Sequence, residues 1–296
     1  MVVGNGAWGQ ALAHVSRAAG HDVAMWGREK PAASDLSRCD AIILAVPAQS
    51  VRAALLAINP PPHIPLIISA KGIEQESGLF MNEVVTDVDI KAPVMVLSGP
   101  SFAADVVKGL PTAVTLAASS LAVAQDWAGA LSLPQFRIYG SDDVLGVEIG
   151  GALKNVLAIG CGISDGRGLG DSARAALTTR GFAELMRFGK KLGARPETLT
   201  GLSGLGDLLL TCSSRQSRNY SFGLAVGQGV KVADALSQSR GVVEGAATAR
   251  IAHELAQRHD VDMPIIATVT AIIDRGFDPA HEIAKLLARP VRAEIT

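Results

Sequence analysis

The stretch GNGAWG, residues 4–9, decides how the first half of this chain folds. It matches the pattern GxGxxG, whose first glycine permits a tight turn, whose second lets a pyrophosphate approach the backbone, and whose third lets a helix pack closely. A helix-like segment at residues 10–19 and an apolar strand at residues 23–26 follow it. This order predicts a dinucleotide site at a helix amino terminus, where unpaired N–H groups attract phosphates. The turn contributes Gly4, Gly6, Ala7, Trp8 and Gly9.

Short apolar runs alternate with helical or turn-rich stretches up to about residue 140. The runs lie at residues 23–26, 41–46, 66–70, 94–97, 113–118 and 136–139. Continuous apolar strands separated by crossovers are typical of a parallel sheet that is covered on both faces. We therefore expect an α/β fold that begins with a Rossmann-like parallel sheet.

The sequence pattern changes near residue 143, where long segments rich in Ala, Leu and Gly with helical spacing replace the strand-like runs. Helical periodicity without strands predicts an all-helical second part. The expected organisation is a dinucleotide-binding domain at residues 1–142 and a helical substrate-binding domain at residues 143–296.

The composition restricts the class of protein. A net charge of −1 supplies no general attraction to nucleic acid or to an acidic membrane surface. Gly, Pro or charge interrupts every apolar run before the roughly 20 residues of a membrane helix, and the first residues lack a signal-peptide pattern. Three cysteines without metal-ligand spacing, and histidines likewise scattered, favour a reducing compartment and no metal site. We expect a cytoplasmic protein without membrane insertion.

The residue that follows the second predicted strand helps to select the cofactor. An acidic group there binds a ribose 2′-hydroxyl, whereas Arg suits a 2′-phosphate. This chain has Arg28 with Glu29 directly behind it. The order favours NADPH and leaves NADH open, and a solvated surface Arg28 is the alternative.

Two lysines occupy unusual sequence positions. Lys71 closes the apolar run 66–70, at a predicted strand end where open α/β sheets bind ligands, although a solvated turn would also suit it. Lys154, with Asn155 beside it, lies in the apolar, glycine-rich run 148–160. Interior helix glycines cost about 1 kcal/mol each, so this helix has to pack closely and bury Lys154 in part. A buried lysine requires a functional reason.

Together these residues carry a family resemblance that extends over nearly the whole chain. The matching stretches, in family order, are GNGAWGQALA (4–13), SAKGIE (69–74), LSGPSFAADV (97–106), GGALKNVLAIGCGISDGRGLGDSARAAL (150–177), GLSGLGDLLLTCSSRQSRNYSFG (201–223) and VVEGAATA (242–249). They resemble the bacterial type of NAD(P)-dependent glycerol-3-phosphate dehydrogenase. The resemblance implies hydride transfer between NAD(H) or NADP(H) and the pair sn-glycerol 3-phosphate and dihydroxyacetone phosphate. It also implies a homodimer that supplies glycerol 3-phosphate for glycerophospholipid synthesis.

The resemblance assigns roles position by position. Lys154 matches the catalytic acid/base, and Lys71 matches a lysine that touches both substrate and cofactor. The implied substrate-binding residues are Lys71, Gly99, Ser101, Lys154, Asp207, Ser217, Arg218 and Asn219. Beyond the glycine turn, the implied cofactor-binding residues are Arg28, Lys71, Ala103, Arg218, Val242 and Glu244.

Alternatives remain open at several of these positions. Asp207 could cap a helix, Thr211 could be helix interior, Glu244 could be a cap, and the loop at residues 215–219 could be solvated. A 3-hydroxyacid dehydrogenase is the nearest enzymatic alternative, and a non-catalytic dinucleotide sensor is another. The chain also departs from the family, because only residues 28–40 connect the second and third strands and the first strand is short. This departure puts the adenine end of the cofactor site in doubt.

Overall fold

The computed structural model describes residues 1–27, 36–239 and 241–290, so Arg28 lies outside the described residues. One sheet contains seven strands: β1 (Val2–Val3), β2 (Met25–Trp26), β3 (Ile42–Leu44), β4 (Leu66–Ile68), β5 (Val94–Ser98), β6 (Thr112–Ala117) and β7 (Phe136–Ser141). Their order is β2-β1-β3-β4-β5-β6-β7. Each of the six apolar runs that the sequence marks as strands overlaps a strand, with bounds that differ by at most two residues.

Neighbouring strands are parallel with one exception. β5 and β6 pair antiparallel, with Leu97 opposite Leu116, whereas the other neighbours are parallel. The predicted fold class, with its mainly parallel sheet, is confirmed, and the antiparallel pair is a detail that the sequence does not indicate. The apolar pattern of a buried strand is the same in either chain direction, so it does not distinguish the two arrangements.

Helices cover the sheet and then form the rest of the protein. Those between the strands are α1 (Ala7–Ala18), α2 (Val51–Ile58), α3 (Met81–Asp87), α4 (Ala103–Val107) and α5 (Leu121–Leu131). The later ones are α6 (Val144–Gly166), α7 (Asp171–Leu192), α8 (Pro196–Thr200), α9 (Asp207–Ser213), α10 (Arg218–Gly227), α11 (Val232–Ser237), α12 (Glu244–Arg258), α13 (Pro264–Ile273) and α14 (Pro279–Leu287). Within residues 142–239 and 241–290 no strand occurs, as the sequence predicts.

Helix α6 is the centre of the helical part, packing against α7, α9, α10, α12 and α13. Its amino terminus is capped by Asp143, whose carboxylate accepts the Gly146 N–H at 2.9 Å. Its glycines admit neighbouring backbone: a Cβ at Gly162 would lie 2.1 Å from the Tyr220 carbonyl oxygen, and one at Gly150 would lie 2.5 Å from that of Ser203. The close packing that the glycine content predicts is therefore present.

The same helix contradicts the expectation that no apolar segment reaches the length of a membrane helix. Helix α6 has 23 residues, and an 18-residue stretch of it has a mean hydropathy of 1.5, so it is long and apolar enough to cross a membrane; it is the one such helix in the described ranges. Its apolar surface is nevertheless covered, because 89% of that stretch is buried inside the structure. Core helices of this kind pass the same length and composition test.

Helix α13 depends on a carboxylate from another helix. Pro264 occupies its first turn, and no side chain from the preceding residue caps it. Glu184 of α7, 2% exposed, accepts the Ile265 N–H at 2.7 Å and the Ile266 N–H at 3.1 Å. These are two of the donors that a helix amino terminus leaves without intrahelical partners. A single buried side chain thus satisfies the start of α13 and ties it to α7.

The substitution Glu184→Ala should lower the free energy of unfolding by about 1–3 kcal/mol, because it leaves two buried N–H groups without a hydrogen-bond acceptor. Urea denaturation monitored by circular dichroism measures this. Glu76→Ala, at an exposed position, is the matched control and should change stability by less than about 0.5 kcal/mol. Equal losses in the two variants would show that the cap contributes nothing.

Candidate functional site

The two lysines that the sequence singles out meet at one carboxylate. Lys71 follows β4 from the sheet, Lys154 lies on α6, and Asp207 is the first residue of α9. Lys71 Nζ lies 2.8 Å from Asp207 Oδ2, and Lys154 Nζ lies 2.8 Å from Asp207 Oδ1. The side chains of Lys71, Lys154 and Asp207 are 15%, 9% and 1% exposed, respectively. Residues from both parts of the chain thus form one nearly buried ion cluster.

Further contacts fix the two ammonium groups. Lys154 Nζ donates to Thr211 Oγ1 at 3.0 Å, and the Thr211 hydroxyl donates to the Asp207 carbonyl oxygen at 2.6 Å. Lys71 Nζ donates to the Gly99 carbonyl oxygen at 3.0 Å. Thr211, which sequence alone could not separate from ordinary helix interior, therefore contacts the lysine directly.

The electrostatics of the cluster follow from burial and from its mixed charges. Burial and the nearby charge of Lys71 together lower the pKa of Lys154 to about 8, against the opposing effect of Asp207. For Asp207, burial raises the pKa, but the two ammonium groups outweigh burial and hold it below its usual value. The arrangement therefore contains a stable carboxylate and a lysine that can gain or lose a proton near neutral pH.

A chain of amide groups runs behind the cluster. Asn155 Nδ2 donates to the Lys71 carbonyl oxygen at 3.1 Å, and Asn155 Oδ1 accepts from Asn219 Nδ2 at 2.8 Å. Asn219 Oδ1 then accepts the Gly245 N–H at 2.8 Å. Asn155 thus holds the backbone of Lys71 and the side chain of Asn219.

The predicted group Ser217, Arg218 and Asn219 lies at the start of α10. Ser217 is the capping residue, and its hydroxyl accepts the Tyr220 N–H at 3.2 Å. Arg218 is exposed and Asn219 is 8% exposed. A helix amino terminus with a guanidinium beside it is a suitable place for an anion. The Ser217 hydroxyl accepts a hydrogen bond within the helix cap and keeps its O–H available as a donor.

The glycine turn has the geometry that a diphosphate requires. Gly4 has φ +116°, and a Cβ there would lie 2.4 Å from the Ala45 carbonyl oxygen. A Cβ on Gly9 would lie 1.9 Å from the Gly4 carbonyl oxygen, so the helix packs against the turn. Gly6 faces open space, and no side chain caps α1 there. Each glycine occupies the place that the motif assigns to it, and the free first turn of α1 fits a dinucleotide phosphate.

The strand-end residues of β5 lie beside Lys71. Gly99 has φ +149°, and a Cβ there would lie 2.8 Å from Val114 Cα. Ser101 Oγ donates to the Gly99 carbonyl oxygen at 3.1 Å, and Ala103 begins α4. This turn carries the carbonyl that Lys71 contacts.

Glu244 links the helical part to the segment that follows β3. It begins α12, and its Oε1 accepts the Ala48 N–H at 3.2 Å, a contact that no sequence pattern signals. Burial raises the pKa of Glu244 to about 7, against the opposing effects of the Ala48 N–H and Arg218. Val242 precedes it and is 43% exposed. In the described ranges, no group of three or more His, Cys, Asp or Glu side chains is arranged to hold a metal ion.

Family models match both parts of the chain. The model described as the NAD-dependent glycerol-3-phosphate dehydrogenase C-terminus matches residues 143–284. Its N-terminal counterpart matches residues 1–38 and 31–124. The two N-terminal segments overlap within residues 28–40, the connection whose shortness the sequence indicates.

Whole-chain comparisons agree with the family models. The chain is 47% identical over 324 residues to the glycerol-3-phosphate dehydrogenase (NAD(P)+) of Rhodospirillum rubrum, covering 99% of this chain and 93% of that one. It is 49% identical over 324 residues to the enzyme of that name from Methylobacterium radiotolerans, covering 99% and 97%. The crystal structure of glycerol-3-phosphate dehydrogenase from Coxiella burnetii matches with a TM-score of 0.92 at 35% identity, covering 97% and 98%. The chain belongs to the NAD-dependent glycerol-3-phosphate dehydrogenase family.

Proposed function

We propose that this protein is an oxidoreductase that interconverts sn-glycerol 3-phosphate and dihydroxyacetone phosphate with NAD(H) or NADP(H). The observation that carries the proposal is the buried cluster in which Asp207 is bound by Lys71 and Lys154 at 2.8 Å each. The same chain contains a glycine turn of the kind that binds dinucleotides. It also contains a helix that starts at Arg218, where an anion can bind. A ketone or alcohol that also carries a phosphate suits this combination better than a carboxylate substrate does.

Lys154 is the proposed acid/base. The bound nicotinamide supplies or accepts the hydride. In ketone reduction negative charge develops on the carbonyl oxygen, and Lys154 as a cation stabilises that charge and donates the proton. In alcohol oxidation the neutral amine takes the hydroxyl proton. A pKa of about 8 makes both forms available near neutral pH.

Asp207 and Lys71 support this chemistry. Asp207 holds Lys154 Nζ in place and keeps the pKa of that amine from falling further under burial. Lys71 adds a second positive charge next to the reacting oxygen, and its contact with the Gly99 carbonyl oxygen at 3.0 Å fixes its direction. The two lysines and Gly99 with Ser101 are the proposed contacts to the substrate.

The phosphate of the substrate is assigned to the first turn of α10. Arg218 supplies a planar guanidinium with several donors, and the helix start adds backbone N–H groups and a positive dipole end. Asn219 helps to hold this turn through its bonds to Asn155 and Gly245. On the cofactor side we assign the glycine turn, Ala103, Val242 and Glu244; Arg28 as a determinant of NADPH preference remains a prediction.

The wider organisation follows from the same proposal. We assign cofactor binding to residues 1–142 and substrate binding to residues 143–296. We also propose a cytoplasmic homodimer whose glycerol 3-phosphate is consumed in glycerophospholipid synthesis. Size-exclusion chromatography with light scattering tests the dimer.

Purified protein should oxidise NADH or NADPH when dihydroxyacetone phosphate is added, measured as loss of absorbance of the reduced nicotinamide. Lys154→Ala should lower kcat by about 10²–10⁴-fold, because it removes the positioned proton donor. Lys190→Ala, an exposed lysine on α7, is the control and should retain full activity. Absence of turnover in the wild type would overturn the function, and near-normal turnover in Lys154→Ala would overturn the role of that lysine.

In the reduction direction, kcat should fall as pH rises through about 8, where Lys154 loses its proton. In the oxidation direction it should rise over the same range. Asp207→Asn should move both transitions to lower pH, because the carboxylate that raises the pKa of Lys154 is removed while burial and Lys71 still lower it. The pH–rate profiles of this variant and of the exposed control Asp234→Asn provide the test. A transition that stays in place or moves upward contradicts the assignment.

Arg218→Ala should raise the apparent KM for dihydroxyacetone phosphate by tens- to thousands-fold, the effect of about 2–5 kcal/mol for removing one partner of a charge pair. Phosphate-free dihydroxyacetone should be nearly unaffected. Arg218→Lys should recover only part of the loss, since the ammonium group of Lys lacks the planar, two-pronged donor geometry of the guanidinium. We would measure kcat/KM for both substrates, with Arg250→Ala as an exposed control. Equal damage to both substrates would mean that the phosphate binds elsewhere.

A further inference from the structure

The position of the Arg218 guanidinium matters because this group is the proposed phosphate-binding group. No hydrogen bond or ion pair joins it to another residue in the described part of the chain. Its charge nevertheless lowers the pKa of Glu244, against the larger effect of burial, so the guanidinium lies within electrostatic reach of that carboxyl. A long, exposed side chain without a bonded partner has many rotamers available. A neighbouring surface that limits these rotamers would therefore restrict where the guanidinium lies.

Gly241, in the loop before α12, lies directly against the guanidinium. A Cβ built on Gly241 would lie 2.8 Å from Arg218 Nη1 and 3.9 Å from both Cδ and Cζ. Among the described residues other than its chain neighbours, the three nearest heavy atoms to that position all belong to Arg218. Gly241 also has φ +112°, a conformation that residues with a side chain adopt rarely. The loop thus presents bare backbone to Arg218 and requires glycine for two separate reasons.

We propose that Gly241 is a positioning residue for Arg218: its missing side chain lets the guanidinium lie on the loop backbone, beside the first turn of α10. The inference rests on the proposed function, since it assigns to Gly241 the placement of the phosphate-binding group. A larger residue here displaces the guanidinium away from the helix start. The loop before α12 thereby contributes to substrate binding without touching the substrate.

The displacement should affect binding more than folding. The atom that a new Cβ meets is the far end of a flexible side chain, which can swing away without moving the backbone. Gly229 allows the backbone strain to be separated from the collision, because it has φ +96° and no atom within 4 Å of its added Cβ. Gly229→Ala therefore introduces similar strain without disturbing Arg218.

The test compares Gly241→Ala with Gly229→Ala in steady-state kinetics. Gly241→Ala should raise the KM for dihydroxyacetone phosphate by about 10- to 100-fold, the scale of an ångström-sized misplacement of a binding group. The kcat/KM for phosphate-free dihydroxyacetone should not change, and Gly229→Ala should match the wild type with both substrates. Gly241→Asn supplies the same Cβ with less strain, since Asn tolerates positive φ, and replaces the Ala variant if that fails to fold. Equal kinetics for the Gly241 and Gly229 variants overturn the proposal.

A double-mutant cycle with Arg218 decides the mechanism. In an Arg218→Ala background, Gly241→Ala should cause no further rise in KM, because the group it displaces is absent. A rise of the original size in that background overturns the proposal. The increase in Tm that inorganic phosphate causes provides a readout without turnover, and it should shrink in Gly241→Ala but not in Gly229→Ala. A wild type that binds phosphate in this way yet does not reduce dihydroxyacetone phosphate contradicts the proposed function, not the role of Gly241.

Discussion

The shared carboxylate of Asp207 is the contact on which the site depends. Two ammonium groups brought together in a buried place repel each other and lose hydration, and a shared counterion offsets both costs. Asp207 contacts both at 2.8 Å and is itself 1% exposed. Because Lys71 comes from the sheet while Lys154 and Asp207 come from the helices, this single carboxylate also joins the two parts of the protein.

The packing of α6 makes that contact possible. Glycines along α6 allow backbone from α10 and from the turn before α9 to approach within van der Waals distance, which brings Asp207 and Thr211 to Lys154. Gly151 has the same effect toward the sheet, since a Cβ there would lie 2.7 Å from Ser98 Oγ and 3.4 Å from Lys71 Cγ. The energetic cost of glycine within a helix is offset by contacts that a larger residue would prevent.

Much of the fold and part of the site could be predicted from sequence, because local patterns encode them. The glycine turn, the strand runs and the burial of Lys154 each follow from residue types at fixed spacing. The antiparallel β6, the Asn155 amide chain and the Glu244–Ala48 bond could not be predicted in this way. Each depends on which distant segments meet in space, and a polar residue in a sequence does not indicate which of several possible partners it will bind.

Charge balance explains why these details matter for an anionic substrate. The chain has a net charge of −1, so attraction must come from the site itself. Lys71, Lys154 and Asp207 together leave one positive charge, and Arg218 with the start of α10 adds to it. Glu244 opposes this only in part, because burial raises its pKa to about 7 and the carboxyl is frequently neutral at physiological pH. A buried carboxyl that is readily protonated can bind the Ala48 N–H while repelling a nearby anion less than a permanently charged carboxylate would.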